Sequence, residues 1–134
     1  MAGKTSFGNP FLEALGVTLE SWTEGHAEFR LALRPDLGNR SGRVQGGVLC
    51  TLLDVAAGYA GLYAPPGAPE RHSVSLSLTS NFLDSADGGF LVARGWVQRE
   101  GRSVYFAQSE VLLDGGLVLA TGLGTFKYLR QRAG

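Results

Sequence analysis

The sequence predicts an α+β domain in which one long buried helix lies against an antiparallel sheet. Two observations carry this. Residues 48–63 form an almost unbroken apolar run in which only Cys50, Thr51 and Asp54 have hydrogen-bonding or ionisable side chains short of the tyrosines. As a helix this run is about 24 Å long, and a helix apolar nearly all round belongs in a core. The second half of the chain alternates strand-like runs with Asp-Gly and Gly-Gly pairs, which are strong hairpin signals. Consecutive hairpins make an antiparallel sheet, and the helix must pack on it. A length of 134 residues, 44% of them hydrophobic, suits a single domain over residues 1–134.

The elements follow in order. Residues 9–16 read as a short helix, with Asn9 as N-cap, Pro10 at the first helical position and Gly16 as the stop. Strands are expected over 17–22 and 26–33, with a turn at Glu24-Gly25. In the second of these, Ala27, Phe29, Leu31 and Leu33 alternate with His26, Glu28, Arg30 and Ala32, the pattern of a half-buried strand. Residues 35–42 form a polar loop that leads through Arg43-Val44-Gln45-Gly46-Gly47 into the long helix, and Pro65-Pro66-Gly67 is expected to end it. A strand over 73–83 sets Val74, Leu76, Leu78 and Phe82 on one face and Ser73, Ser75, Ser77, Thr79 and Asn81 on the other. Strands over 90–98, 104–113 and 117–129 complete the sheet, separated by turns at Glu100-Gly101 and Asp114-Gly115-Gly116.

Charge narrows the function classes. Lys+Arg and Asp+Glu both total 12, so the formal net charge is zero, and the pI is near 6.7. That balance argues against nucleic acid or an anionic membrane as partner. No apolar run reaches the roughly 20 residues that span a bilayer, and no secretory signal is visible at the N-terminus. Cys50 is the single cysteine, which excludes an internal disulfide and a Cys-rich zinc site. The expectation is a soluble, cytoplasmic protein with no metal and no cofactor.

Asp54 is the candidate chemical centre. Gly47, Cys50, Thr51, Gly58 and Gly61 share its helix face, all of them small. Glycine costs a helix about 0.8–1.0 kcal/mol relative to alanine, so two within a buried helix need a reason. One reason is the close approach of another backbone; the other is a channel by which a ligand reaches the carboxylate. In such apolar company the carboxylate should be desolvated and its pKa raised, making it a better base or nucleophile. Gln45-Gly46-Gly47 falls at the start of the same helix, where unsatisfied amides and a positive dipole can polarise a carbonyl.

Asn39-x-x-Gly42-x-x-Gln45-Gly46-Gly47, with Asp54 seven residues past the second glycine, resembles the signature of hotdog-fold acyl-CoA thioesterases. The nearest group is the phenylacetate-pathway-like branch of the 4-hydroxybenzoyl-CoA thioesterase superfamily, whose pattern is Asn-x-x-Gly-x-x-His-Gly-Gly-x6-Asp. The resemblance covers nearly the whole domain, from Asn9-Pro10-Phe11-Leu12 to the closing hairpin at 114–120. It implies a long helix wrapped by a curved antiparallel sheet, and a homodimer or homotetramer with active sites at the subunit interface. It makes Asp54 the nucleophile or general base acting on the thioester of an acyl-CoA substrate. The Gly47 amide, contributed by the neighbouring subunit, would polarise the carbonyl, and Asn39 would position water or the acyl group. Gly46, Thr51 and Gly58 fall beside these positions and are taken as substrate-binding. Among the arginines that fall in loops or at strand ends and suit CoA phosphates (Arg40, Arg43, Arg71, Arg99 and Arg102), Arg102 beside Gly101 recurs in the family's penultimate turn.

The departure from the pattern is Gln45. Histidine can donate a hydrogen bond and titrate near neutrality, whereas glutamine can only donate or accept. Two alternatives therefore stand beside the thioesterase. One is a non-catalytic acyl-CoA binder of the same fold, favoured by Gln45 and opposed by Asp54. The other is a hotdog-fold hydratase or dehydratase, whose chemistry generally needs a histidine paired with a carboxylate; none is present at the helix start. His26 and His72 lie outside the motif, and His26 falls on the solvent face of its strand.

Overall fold

The computed structural model describes residues 3–130. Helix α1 (Pro10–Leu15) precedes strands β1 (Thr18–Thr23) and β2 (His26–Ala32). A 3-10 turn over Pro35–Leu37 leads to helix α2 (Gly46–Ala60), and strands β3 (Ser73–Phe82), β4 (Phe90–Glu100), β5 (Val104–Leu113) and β6 (Leu117–Tyr128) follow. The six strands form one antiparallel sheet in the order β1-β2-β4-β5-β6-β3. This is the predicted architecture, with α2 held inside the sheet's curve. No helix among the described residues is long and apolar enough to cross a membrane.

Helix α1 is capped as its sequence predicts. The Asn9 side chain accepts from the Leu12 amide at 3.2 Å, and Gly16 ends the helix at φ +88°, in the left-handed region that glycine enters without strain. Glu13 reaches back to accept from the amides of Phe7, Gly8 and Asn9 at 2.9–3.0 Å. Those bonds, the one from Phe7 first, hold its carboxyl below the usual range.

Helix α2 runs two residues earlier and ends three residues earlier than the sequence predicts. The double glycine enters the helix, and Gln45 takes the N-cap position without a side-chain capping bond. The helix stops at Gly61 before the prolines because its last carbonyls are claimed from the sheet. Tyr105 of β5 donates to the Gly58 carbonyl at 2.5 Å and Trp22 Nε1 of β1 to that of Tyr59 at 2.8 Å, while Tyr128 of β6 shares its one hydroxyl proton between Glu100 at 2.7 Å and the Gly61 carbonyl at 3.1 Å. Burial pushes the Tyr105 phenol up to about 12 and raises that of Tyr128 as well, so both hydroxyls keep the protons they donate.

The inward face of α2 (Leu49, Leu52, Leu53 and Ala56) packs on Phe29, Leu31, Leu91, Val111 and Leu119 to form the main core. Beneath it the paired residues Ala27, Gly95, Ser109, Gly122 and Ser80 cross five strands, a shallow belt that lets the helix sit close. A side chain at Gly95 would overlap the backbone carbonyl of Ala56. Ser109 in this belt is 2% exposed, and its hydroxyl has no hydrogen-bond partner. Because an unsatisfied buried polar group is destabilising, Ser109→Ala is expected to raise stability by about 1 kcal/mol. An unchanged or lower midpoint in chemical denaturation would contradict this.

Strand β3 departs from the simple alternation. A bulge at Leu76 shifts its register against β6 between Ser75 and Ser77. Before the bulge, Ser75 pairs with buried Phe126 and points toward the helix; after it, Phe82 pairs with buried Ala120 and does the same. The expected single apolar face is therefore split, and one extra residue is the physical reason. Val74 and Leu76 are left exposed at 44% and 55% on this edge strand.

Candidate active site

Asp54 lies on the side of α2 that the sheet leaves open. The apolar enclosure expected from the sequence is absent: the residue is half-buried, and Ser75 of β3 donates to its Oδ1 at 2.7 Å. The serine fixes the carboxylate's direction through that one oxygen. Sequence reasoning placed Ser75 on the serine-rich face of its strand and gave it no role at the site. The available signal was a run of hydroxyls at two-residue spacing opposite a buried helix.

Gly58 and Gly61 on this face have a packing reason. Gly58 is buried with the Phe126 ring 3.2 Å from where its Cβ would be, and a side chain at Gly61 would overlap the Tyr105 ring. Gly58 is therefore a seat for β6, not an open wall for substrate. Thr51 is half-buried, and its hydroxyl donates to the Gly47 carbonyl one turn back at 2.9 Å.

At the helix start, Gly46 and Gly47 are the first two helical residues, so their amides have no intrahelical acceptor. Gly47 and Gln45 are exposed, and the Phe82 ring borders Gly46. Asn39 shapes the preceding loop: its Oδ1 accepts from the Ser41 and Arg43 amides at 2.8 and 3.1 Å. Asn39 and Gln45 line one shallow groove with Leu15, Leu37 and Val48. Asp54 is two helical turns further on. Seven residues separate it from Gly47, about 10 Å along the axis.

The arginines sort by their partners. Arg43 donates to Ser85 at 3.0 Å. Arg71 bonds Glu100 at 3.1 Å and lies over the Tyr128 ring, 4.4 Å from its centroid. Bonds from Tyr128 and then Arg71 hold the Glu100 carboxyl below the usual range. Arg40, Arg99 and Arg102 are exposed. Arg102 sits in the β4–β5 turn, at the sheet end where Tyr105 meets the C-terminus of α2. It is thus at the opposite end of the helix from Gly47 of the same chain. His26 is exposed, its Nδ1 3.3 Å from the Glu24 carbonyl, a bland setting as expected.

A six-stranded antiparallel sheet curved around one central helix, with a glycine-started helix and a carboxylate two turns in, defines a hotdog-fold domain. Residues 41–120 match the model of the thioesterase superfamily, and the chain belongs to that family. A provisionally named esterase of Halobacterium salinarum is 30% identical over 129 residues, covering 90% of this chain and 85% of that protein. A structure described as a conserved protein from Pseudomonas aeruginosa is 31% identical, with a TM-score of 0.80, covering 90% of this chain and 94% of that one. A provisionally named thioesterase from Ralstonia eutropha, described as phenylacetic acid degradation-related, is 27% identical with a TM-score of 0.76, covering 91% and 92% of the two chains. Membership places the chain among thioester hydrolases.

Proposed function

We propose that the protein hydrolyses an acyl-CoA thioester to the free acid and CoA. Asp54 acts on the carbonyl carbon, either attacking it or drawing a proton from the water that does. One water is consumed, the C–S bond breaks, and the CoA thiol leaves carrying a proton. The observation that supports this best is a carboxylate oriented by Ser75 and open to solvent, on a helix whose first amides are uncapped. Such amides stabilise the negative charge that develops on a carbonyl oxygen.

One chain cannot bring both groups to one carbonyl, because about 10 Å of helix lies between them. The reading therefore includes a second copy that supplies Gly47, with Gln45 and Asn39 beside it. Among the described residues, strand β3 ends the sheet with its outer edge unpaired and with Val74 and Leu76 exposed, which favours pairing with another copy. Light scattering at micromolar concentration is expected to give a dimer or a dimer of dimers. A monomer would remove the shared site.

The direct test is a panel of acyl-CoAs with release of free thiol as readout. Gln45 is the observation that favours a second reading, a non-catalytic acyl-CoA binder, and three forms of the protein separate the two. If the amide donates to the thioester carbonyl, Gln45→His retains or raises turnover and Gln45→Ala lowers it. Losing one oxyanion donor costs about 10²–10³ where the site depends on it, and less where a backbone amide remains. Negligible turnover by the native protein with clear turnover by Gln45→His would establish the binder.

A further inference from the structure

Past Asp54 toward the C-terminus of α2 lies a cavity of about 570 Å³, within the range of small-molecule sites. Trp22 of β1, Tyr59 in the last turn of α2, Leu62 just past that helix, and Phe7 ahead of α1 form its apolar wall, and the loop over residues 64–72 roofs it. The polar atoms of this wall are engaged with one another. Asn9 Nδ2 donates to the Tyr59 hydroxyl at 3.0 Å, and Trp22 Nε1 is committed to the Tyr59 carbonyl. The Trp22 and Tyr59 rings lie 5.1 Å apart. At the rim Arg71 is paired with Glu100 at 3.1 Å, and His72 Nε2 lies 3.5 Å from Glu70. Such a lining favours a neutral apolar group over a phosphate.

The cavity meets the strand that aims Asp54. Ser73 borders it, and Ser75, two residues along the same face of β3, holds the carboxylate. We propose that this cavity receives the acyl group of the thioester attacked at Asp54 of the same subunit, and that with about 570 Å³ of space it selects a medium-length apolar chain such as octanoyl over acetyl. The inference rests on the thioesterase reading, and the experiment separates the two.

Trp96 is on the outer face of the sheet, paired with Gln108 and His26, so Trp96→Phe leaves Trp22 as the single indole. In a Trp96→Phe/Asp54→Asn protein, octanoyl-CoA is expected to shift the Trp22 emission saturably, while acetyl-CoA at the same concentration does not. Ala64 lies in the roof loop, and adding Ala64→Phe should weaken the octanoyl response at least about tenfold by filling the cavity. In the otherwise native chain, Ala64→Phe should lower the ratio of kcat/KM for octanoyl-CoA over acetyl-CoA by at least about tenfold. Efficient octanoyl-CoA hydrolysis with a silent Trp22 and an unmoved ratio would put the acyl group elsewhere and overturn the inference. A saturable Trp22 response in a protein that hydrolyses neither substrate would sink the catalytic reading and leave the cavity assignment standing.

Discussion

Under the proposed mechanism, replacing Asp54 with asparagine is expected to lower acyl-CoA turnover by about 10² or more, because the amide keeps the size of the carboxylate but can neither attack a carbonyl nor accept a proton from water. The Ser75 hydroxyl still finds an oxygen in the variant, so the helix and β3 remain joined and the oligomer survives. Ser75→Ala is the informative companion. It keeps the carboxylate but removes the bond that directs it, and a loss of about tenfold follows from misplacing a reacting group. Steady-state kinetics of both variants on one good substrate, with light scattering as a control, measures the two effects. Near-native turnover by Asp54→Asn would refute the role given to this residue.

Gly95→Ala should be among the most damaging single methyl additions available to the fold. The new Cβ would fall on the Ala56 carbonyl, which is helix backbone and has no rotamer to yield. Accommodation requires α2 to lift off the sheet, loosening Leu53 and Ala56, both 0% exposed. Overpacking of this kind costs about 3 kcal/mol or more when no flexible atom can give way, a fall in Tm of about 10 °C or more for a domain of this size. Thermal unfolding followed by circular dichroism checks it, and a Tm within a few degrees of the native value would contradict the close seating of the helix. Ser109→Ala, in the same belt, is expected to act with the opposite sign.

The class of fold was legible because its signals are local. Asn9, Pro10 and Gly16 punctuate α1, the apolar run marks α2, and Asp114-Gly115 closes the last hairpin, with Asp114 at φ +52° and Gly115 at φ +75°. The motif from Asn39 to Asp54 was likewise visible as spacing. What was not legible depends on partners distant in sequence. The end of α2 is decided by Tyr105, Trp22 and Tyr128, 37–67 residues away, which no helix-stop rule contains. The exposure of Asp54 and its bond to Ser75 depend on which side of β3 faces inward, and a one-residue bulge reassigns that side. Gly58 and Gly61 looked equally suited to a channel or to packing until the rings of Phe126 and Tyr105 were found against them.

The three donors on the last turn of α2 also divide the helix dynamically. Its C-terminal end is moored to β1, β5 and β6, strands that belong to both halves of the sheet, so releasing it means disturbing most of the domain at once. Its N-terminal end has no side-chain cap and begins with two glycines, so opening there requires only a local fluctuation of low free energy. Slow-exchanging amides would accordingly accumulate toward Ala60, and fast ones toward Gly46. Local opening of the helix is thereby easiest at its first turn, while the stretch that carries Asp54 stays held to the strand that aims it.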